Sequence, residues 1–175
     1  KNQSTFTNQK IYKFDMKIKI GHGYDVHQLA EGYALSLGGI QIPHEVGSVG
    51  HSDADVLLHA ICDALLGALA LGDIGKHFKN TDPRWKGIDS KILLEKVNEL
   101  IQQEGYVVGN IDSTLILEAP KIGPYVPQMR AAIAEVLQIE TNCISIKATT
   151  SETMGFVGRK EGLEAHAVCL LFAKE

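Results

Sequence analysis

Four apolar runs of strand period, three stretches of helical period and one paired-glycine turn predict an α+β fold in a single domain. Strands and helices interleave without regular alternation. A mixed four-stranded sheet plus a small hairpin, with helices on one face, is then the economical architecture. The 175 residues are 45% apolar and 22% charged, enough for one domain with a sizeable core and no internal repeat or linker.

Residues 1–15, KNQSTFTNQKIYKFD, are polar and aperiodic, and Met16 reads as a natural start. We therefore read 1–15 as a leader, extension or cloning remnant and 16–175 as the single domain. KIKIGHGY (17–24) alternates lysine and isoleucine, a strand signature. YALSLGGIQIP carries two short alternating runs around Gly38-Gly39 and reads as a hairpin. SDADVLLHAICDALLGALALGD (52–73) is a helix with Ser52 or Asp53 as cap, an apolar stripe of Leu58, Ile61, Leu65 and Leu69, and Gly72 as its stop. A second helix covers 90–104, with Ile92, Leu93, Val97, Leu100 and Ile101 on one face and Gly105 ending it. IDSTLILEA is a strand and PKIGPYVP a loop, after which Pro127 opens a helix to about Leu137. CISIKAT and LEAHAVCLLFA are the last two strands.

Gross composition removes several function classes. A net charge of −4 leaves no electrostatic footprint for nucleic acid, so an anionic ligand needs a local site. No stretch approaches the roughly 20 apolar residues that span a bilayer. Cys62, Cys143 and Cys169 are far apart and lack zinc spacing, so reduced thiols in a reducing compartment are expected. That points to an intracellular protein.

Asp25 and His27 stand two residues apart in GHGYDVHQL, and on a strand both side chains leave the same face. They can hold a metal ion, or they can form a charge-assisted hydrogen bond at a strand end. His59 adds a third N/O donor on the first helix, and with Asp25 and His27 would leave a fourth position open, the form of a catalytic zinc site. Asp63, one turn along, could accept the other ring N–H of His59. A buried histidine paired with its helical neighbour is the plainer alternative. His51 and Ser52 lie at the expected helix N-terminus, which favours an anion, although Ser52 reads equally as a plain cap. LGDIGKHF (71–78) and ATTSETMGFVGR (148–159) are glycine-bearing loops of a kind that holds phosphates or polyols.

IGHGYDVH, HSDADVLLHAICDALLGALALGDIGKHF, TDP, EAPKIGPYVPQMR and KATTSETMGFVGRKEG together resemble the 2-C-methyl-D-erythritol 2,4-cyclodiphosphate synthase family, in the same order and over nearly the whole chain. The resemblance implies metal-dependent cyclisation of 4-diphosphocytidyl-2-C-methyl-D-erythritol 2-phosphate with release of CMP, in the non-mevalonate route to isoprenoids. It implies zinc held by Asp25, His27 and His59, and a second divalent ion, Mg²⁺ or Mn²⁺, at Glu152. Diphosphate contacts match His51 and Ser52. Methylerythritol contacts match Asp73–Gly75 and Phe78–Asp82. The cytidine pocket matches Ala119–Tyr125, Lys121 included, with Thr149, Thr150 and Glu152. His51 and Thr150 match the positions credited with transition-state stabilisation. The resemblance further implies a homotrimer with sheets facing its axis and sites between subunits. Near that axis Arg159 and His166 would meet an isoprenoid diphosphate whose apolar tail lies along Phe156. The resemblance also implies the cytoplasm of a bacterial-type cell or, in a eukaryote, the plastid stroma.

Two residues depart from the resembled pattern: Tyr24 where phenylalanine is frequent, and His166 where glutamate is expected near the axis. Neither matches a metal or nucleotide position. Two other functions fit the same residues less well: a metal-dependent phosphohydrolase giving an acyclic phosphate, and a trimeric metal- or isoprenoid-binding protein without activity.

Overall fold

A computed structural model describes residues 17–79 and 81–174, so the expectation for 1–15 lies outside the described residues. The chain runs β1 (Ile18–Glu31), β2 (Leu35–Leu37), β3 (Ile40–Ile42), β4 (Val46–Val49), α1 (Val56–Ala68), α2 (Ile74–His77), α3 (Ser90–Gln103), β5 (Tyr106–Ile116), α4 (Val126–Leu137), β6 (Ile144–Thr149), α5 (Gly155–Gly158) and β7 (Gly162–Ala173). The main sheet has the order β4-β1-β7-β5-β6, and β2-β3 form a separate two-stranded hairpin. Only β5-β6 is parallel; the other pairs are antiparallel.

The sheet thus has five strands, not the expected four. β1 continues to Glu31, well past residue 24, and its far end pairs with Val46–Val49 from Gln28↔Val49 to Glu31↔Val46. VGSV has too little apolar alternation to read as a strand; the long neighbour recruits it. Two helix ends also differ from expectation. Asp55, not Ser52 or Asp53, caps α1, because its carboxylate reaches the N–H groups of Leu57 and Leu58. The helix closes at Ala68, before Gly72.

α1 is buried on nearly all sides and so is the central helix of the core. It lies directly on β1. A Cβ on Gly21 would come within 1.9 Å of the Ala64 carbonyl oxygen, and one on Gly23 within 1.9 Å of that of Ala60. Glycine at alternate strand positions, opposite Ala60, Ala64 and Ala68, lets backbone meet backbone. The next two inward positions of β1 are Asp25 and His27, and they inherit that closeness. The opposite face of the sheet carries no helix among the described residues and leaves Ile20, Tyr24, Val26, Val168 and Phe172 exposed.

Candidate metal centre and its neighbouring clefts

Close packing of β1 on α1 brings Asp25, His27 and His59 together. Asp25 Oδ2 lies 3.0 Å from His27 Nε2 and 3.0 Å from His59 Nδ1, and the two ring nitrogens are 3.1 Å apart. Donors bound about 2.0–2.1 Å from a tetrahedral zinc stand roughly 3.3–3.4 Å from one another. The observed triangle fits one cation after an adjustment of a few tenths of an ångström, and its N₂O donor set suits a borderline divalent ion. Burial pushes the Asp25 carboxyl upward, but hydrogen bonds from His27 and His59 outweigh it and hold the group well below the usual carboxylate range. Burial pulls His59 down, and Asp25 more than compensates, leaving its imidazole above the ordinary value.

His59 does not use Asp63 as its second partner, contrary to the sequence expectation. Asp63 Oδ1 accepts the Ile74 N–H at 2.8 Å and so anchors α2. Instead His59 Nε2 faces Ser90 Oγ at 3.0 Å and Ser52 Oγ at 3.1 Å. Asp55 takes the Leu57 and Leu58 N–H groups, so His51 and Ser52 stand ahead of the α1 terminus rather than at it, and an anion beside them would not be held by those N–H groups. Asp55 accepts the Gly38 and Gly39 N–H groups as well, tying the hairpin to α1.

The triad opens into a cavity of about 210 Å³ lined by Asp25, His27, His51, Ser52, His59, Ile74, Gly75, Phe78, Trp85 and Leu93. His51 Nε2 is buried there without a partner among the described residues, a polar atom that a ligand would satisfy. Asp73 and Asp82 are not among its lining residues. Asp73 accepts the Lys76 N–H and Asp82 pairs with Arg84, so both shape the rim through short turns. The sequence reading missed Trp85, whose ring meets Phe78 edge-on at 5.2 Å, and it missed Ser90 and Asp55. Only their position next to the TDP motif or the first helix could have pointed to them.

The remaining expected site residues gather elsewhere. Lys121, Thr149 and Thr150 line a second cleft of about 510 Å³ with Glu118, Pro120 and Ile122; Ala119 and Tyr125 belong to the same loop but not to its lining. Thr150 also opens onto a third, of about 410 Å³, with Glu152 and Phe156. The metal cavity shares no lining residue with either. Thr150 Oγ1 donates to Glu152 Oε1 at 3.3 Å, and both side chains are exposed. One carboxylate of this kind suits a hard cation that takes its other ligands from phosphate and water. The loop 150–153 holds Glu152 and Thr153 at positive φ, and Glu118 Oε1 secures it by accepting the N–H groups of Ser151 and Thr153 and the Ser151 hydroxyl.

Arg159 lines none of these clefts and forms two hydrogen bonds to Glu161. On the open sheet face the two departures from the resembled pattern adjoin each other: His166 lies 4.9 Å from the Tyr24 ring and 3.2 Å from His22, while Tyr24 donates to Glu164. All three cysteines are free, Cys62 and Cys169 buried and Cys143 half-buried. No helix among the described residues is long and apolar enough to cross a membrane.

Comparison with known proteins adds to this geometry. Residues 18–172 match the family model described as the YgbB family. A 2-C-methyl-D-erythritol 2,4-cyclodiphosphate synthase of Prosthecochloris aestuarii is 60% identical over 157 residues, covering 90% of this chain and all (100%) of its own. That of Azotobacter vinelandii is 56% identical over 156 residues, 89% of this chain and 99% of its own. Among solved structures, the Plasmodium falciparum IspF–CDP complex superposes with a TM-score of 0.79 at 37% identity, over 90% of this chain and 97% of that one.

Proposed function

The chain belongs to the YgbB family and has its relatives' activity, the formation of 2-C-methyl-D-erythritol 2,4-cyclodiphosphate in the non-mevalonate isoprenoid pathway; on that premise we propose how its residues carry the reaction. The substrate is 4-diphosphocytidyl-2-C-methyl-D-erythritol 2-phosphate. An oxygen of its 2-phosphate attacks the β-phosphorus in line, the bond from that phosphorus to the bridging oxygen breaks, and CMP leaves. Asp25, His27 and His59 hold zinc, and Glu152 holds Mg²⁺ or Mn²⁺. Such ions supply charge neutralisation for two phosphates that must approach each other.

The protein's own groups do the positioning. His51 and Ser52 contact the diphosphate beside the metal corner, and the unpartnered His51 Nε2 is the atom that meets a phosphate oxygen. Gly75 and Phe78, with Asp73 and Asp82 shaping the rim, bind the methylerythritol. Phe78 and Trp85 keep one wall of that cavity dry. The Ala119–Tyr125 segment with Thr149 and Thr150 takes the cytidine, and the solved relative with CDP supports a nucleotide of this type. His51 and Thr150 stabilise the charge that develops in transfer. Because the nucleophile and the target belong to one molecule, folding it into an attack geometry recovers much of about 7–11 kcal/mol.

The metal cavity and the nucleotide cleft share no lining residue within one chain, which supports a homotrimer in which neighbours complete each site. The bare sheet face of Ile20, Tyr24, Val26, Val168 and Phe172 is the surface such an assembly would cover. An isoprenoid diphosphate on its axis would compete with Glu161 for Arg159. Lyase chemistry without a protein nucleophile also accords with free, buried thiols and a reducing cytoplasm.

The converging donor atoms of Asp25, His27 and His59 carry this reading. Incubation with the cytidylyl substrate, followed by phosphorus NMR, tests it: CMP and a cyclic diphosphate in equal amounts are expected. An acyclic phosphate would assign the site to a phosphohydrolase instead.

A further inference from the structure

We propose that Ser90 and Asp53 are positioning residues for the metal corner, fixing the tautomer and aim of His59. The inference rests on the metal reading of Asp25, His27 and His59.

Ser90 opens α3, 31 residues from His59, and is fully buried. Its Oγ lies 3.0 Å from His59 Nε2 and 2.5 Å from Asp53 Oδ1. A hydroxyl has one proton to give. The carboxylate of Asp53 has none, so Ser90 donates to Asp53 and can only accept from the ring. His59 Nε2 therefore carries the hydrogen, which leaves the lone pair on Nδ1, the atom that faces Asp25 and His27. The direction of every bond in this chain follows from the carboxylate at its end.

Asp53 is itself held. Its Oδ2 accepts the Ser90 N–H at 3.2 Å and its Oδ1 the Asp55 N–H at 3.3 Å. Its own N–H donates to the Ile88 carbonyl at 3.0 Å, and Gly87 N–H donates to that of His51 at 2.7 Å. The turn before α1 and the turn before α3 are thereby joined on both sides of Ser90. Ser52 Oγ stands near the same ring nitrogen and 3.5 Å from Ser90 Oγ, and it accepts the Ala54 N–H. It also lines the open cavity, so its hydroxyl proton can turn toward a ligand there. With no carboxylate to fix it, Ser52 does not hold the ring against the Ser90–Asp53 pair. Partners of this kind around a ligating histidine are commonly worth about 10–100-fold in metal affinity.

The test is metal binding to the full chain, read by competition with a chelator and by the visible spectrum of the cobalt-loaded protein. Ser90→Ala keeps a good helix former at the first position of α3 and removes only the relay. It should bind zinc about 10–100-fold more weakly than wild type and shift the cobalt bands, while the metal-free proteins melt alike. Asp53→Asn keeps Ser90 and removes the charge that orders it, and should weaken binding in the same direction with a smaller spectral change. Zinc affinities of both variants within twofold of wild type, with unchanged cobalt spectra, would overturn the proposal and leave the metal reading standing. A wild-type chain that takes up neither metal would overturn both.

Discussion

The metal corner and the 150–153 loop are built in opposite ways. Asp25, His27 and His59 come from two elements locked backbone to backbone, and Ser90 and Asp53 brace them from behind. Thr150 and Glu152 stand on an exposed loop whose only side-chain anchor from outside the loop, among the described residues, is one oxygen of Glu118. The first site is held together by contacts within the chain itself. The second offers groups that have little to do inside one chain, which is how a surface that completes a neighbour's site would look. In the proposed mechanism this contrast would divide the task between holding charge and admitting the nucleotide.

His59→Ala should separate the two regions most sharply. Two ligands replace three, so zinc by elemental analysis should fall well below one per chain and turnover by about 10³-fold or more, with the fold retained. Unchanged zinc content would remove His59 from the metal's ligands. Gly23→Ala attacks the same corner without touching a ligand. Its Cβ meets the Ala60 carbonyl, so α1 must move off β1, at a cost of about 1–3 kcal/mol in chemical denaturation and with weaker metal binding. A variant as stable as wild type would show that helix and strand have more room than their contact implies.

On the loop side, Glu152→Gln should raise the Mg²⁺ concentration needed for half-maximal turnover, since a neutral amide is a poorer ligand for a hard cation. Zinc content should not change. Full activity of wild type under a magnesium-selective chelator would end the two-metal scheme. Glu118→Ala should loosen the loop and raise the KM for the cytidylyl substrate by roughly three- to tenfold, again without loss of zinc. A drop in zinc would mean that the two regions are not independent after all.

The smallest effect is a pH step. Burial pushes the Glu118 carboxyl upward, but its hydrogen bonds to Ser151 and Thr153 prevail and hold it below the ordinary range. Its contribution to loop order is therefore complete above the unfolded value near 4.5 and is lost as pH falls through the lower folded value. Amide exchange protection at Ser151 and Thr153 should stay level from neutral pH to about 5 and fall only below that. The step should vanish in Glu118→Gln.

What could be read from the sequence depended on how local the cause was. The strand Gly162–Ala173, the helix Ser90–Gln103 and the Gly38-Gly39 hairpin follow from period and turn chemistry within a few residues, and each stands where expected. Asp25 and His27 were legible as a pair because a strand places alternate side chains together. β4 was not, because only the far end of β1 makes VGSV a strand. The partner of His59 was assigned to Asp63, a helical neighbour, when it is Ser90, brought in by the fold from another helix. Trp85 escaped for the same reason, since no periodicity marks a residue in a single tight turn. The family resemblance supplied the nucleotide loop, which spacing alone would have left as a turn.

The sheet register has a consequence for how such a chain is made. β1 pairs along its length with β7, from Ile18↔Phe172 to Gln28↔Gly162, so the strand made earlier must wait for β7. At about 5–20 residues per second that wait is roughly 7–26 s. Only β4 and α1 can cover β1 in the meantime, and one hydrogen-bonding edge stays open to whatever strand comes by. The donors Asp25 and His27 lie opposite Ala165 and Leu163. Cutting the chain just before β7 would remove none of Asp25, His27 and His59, yet it would leave the strand that bears two of them without its neighbour.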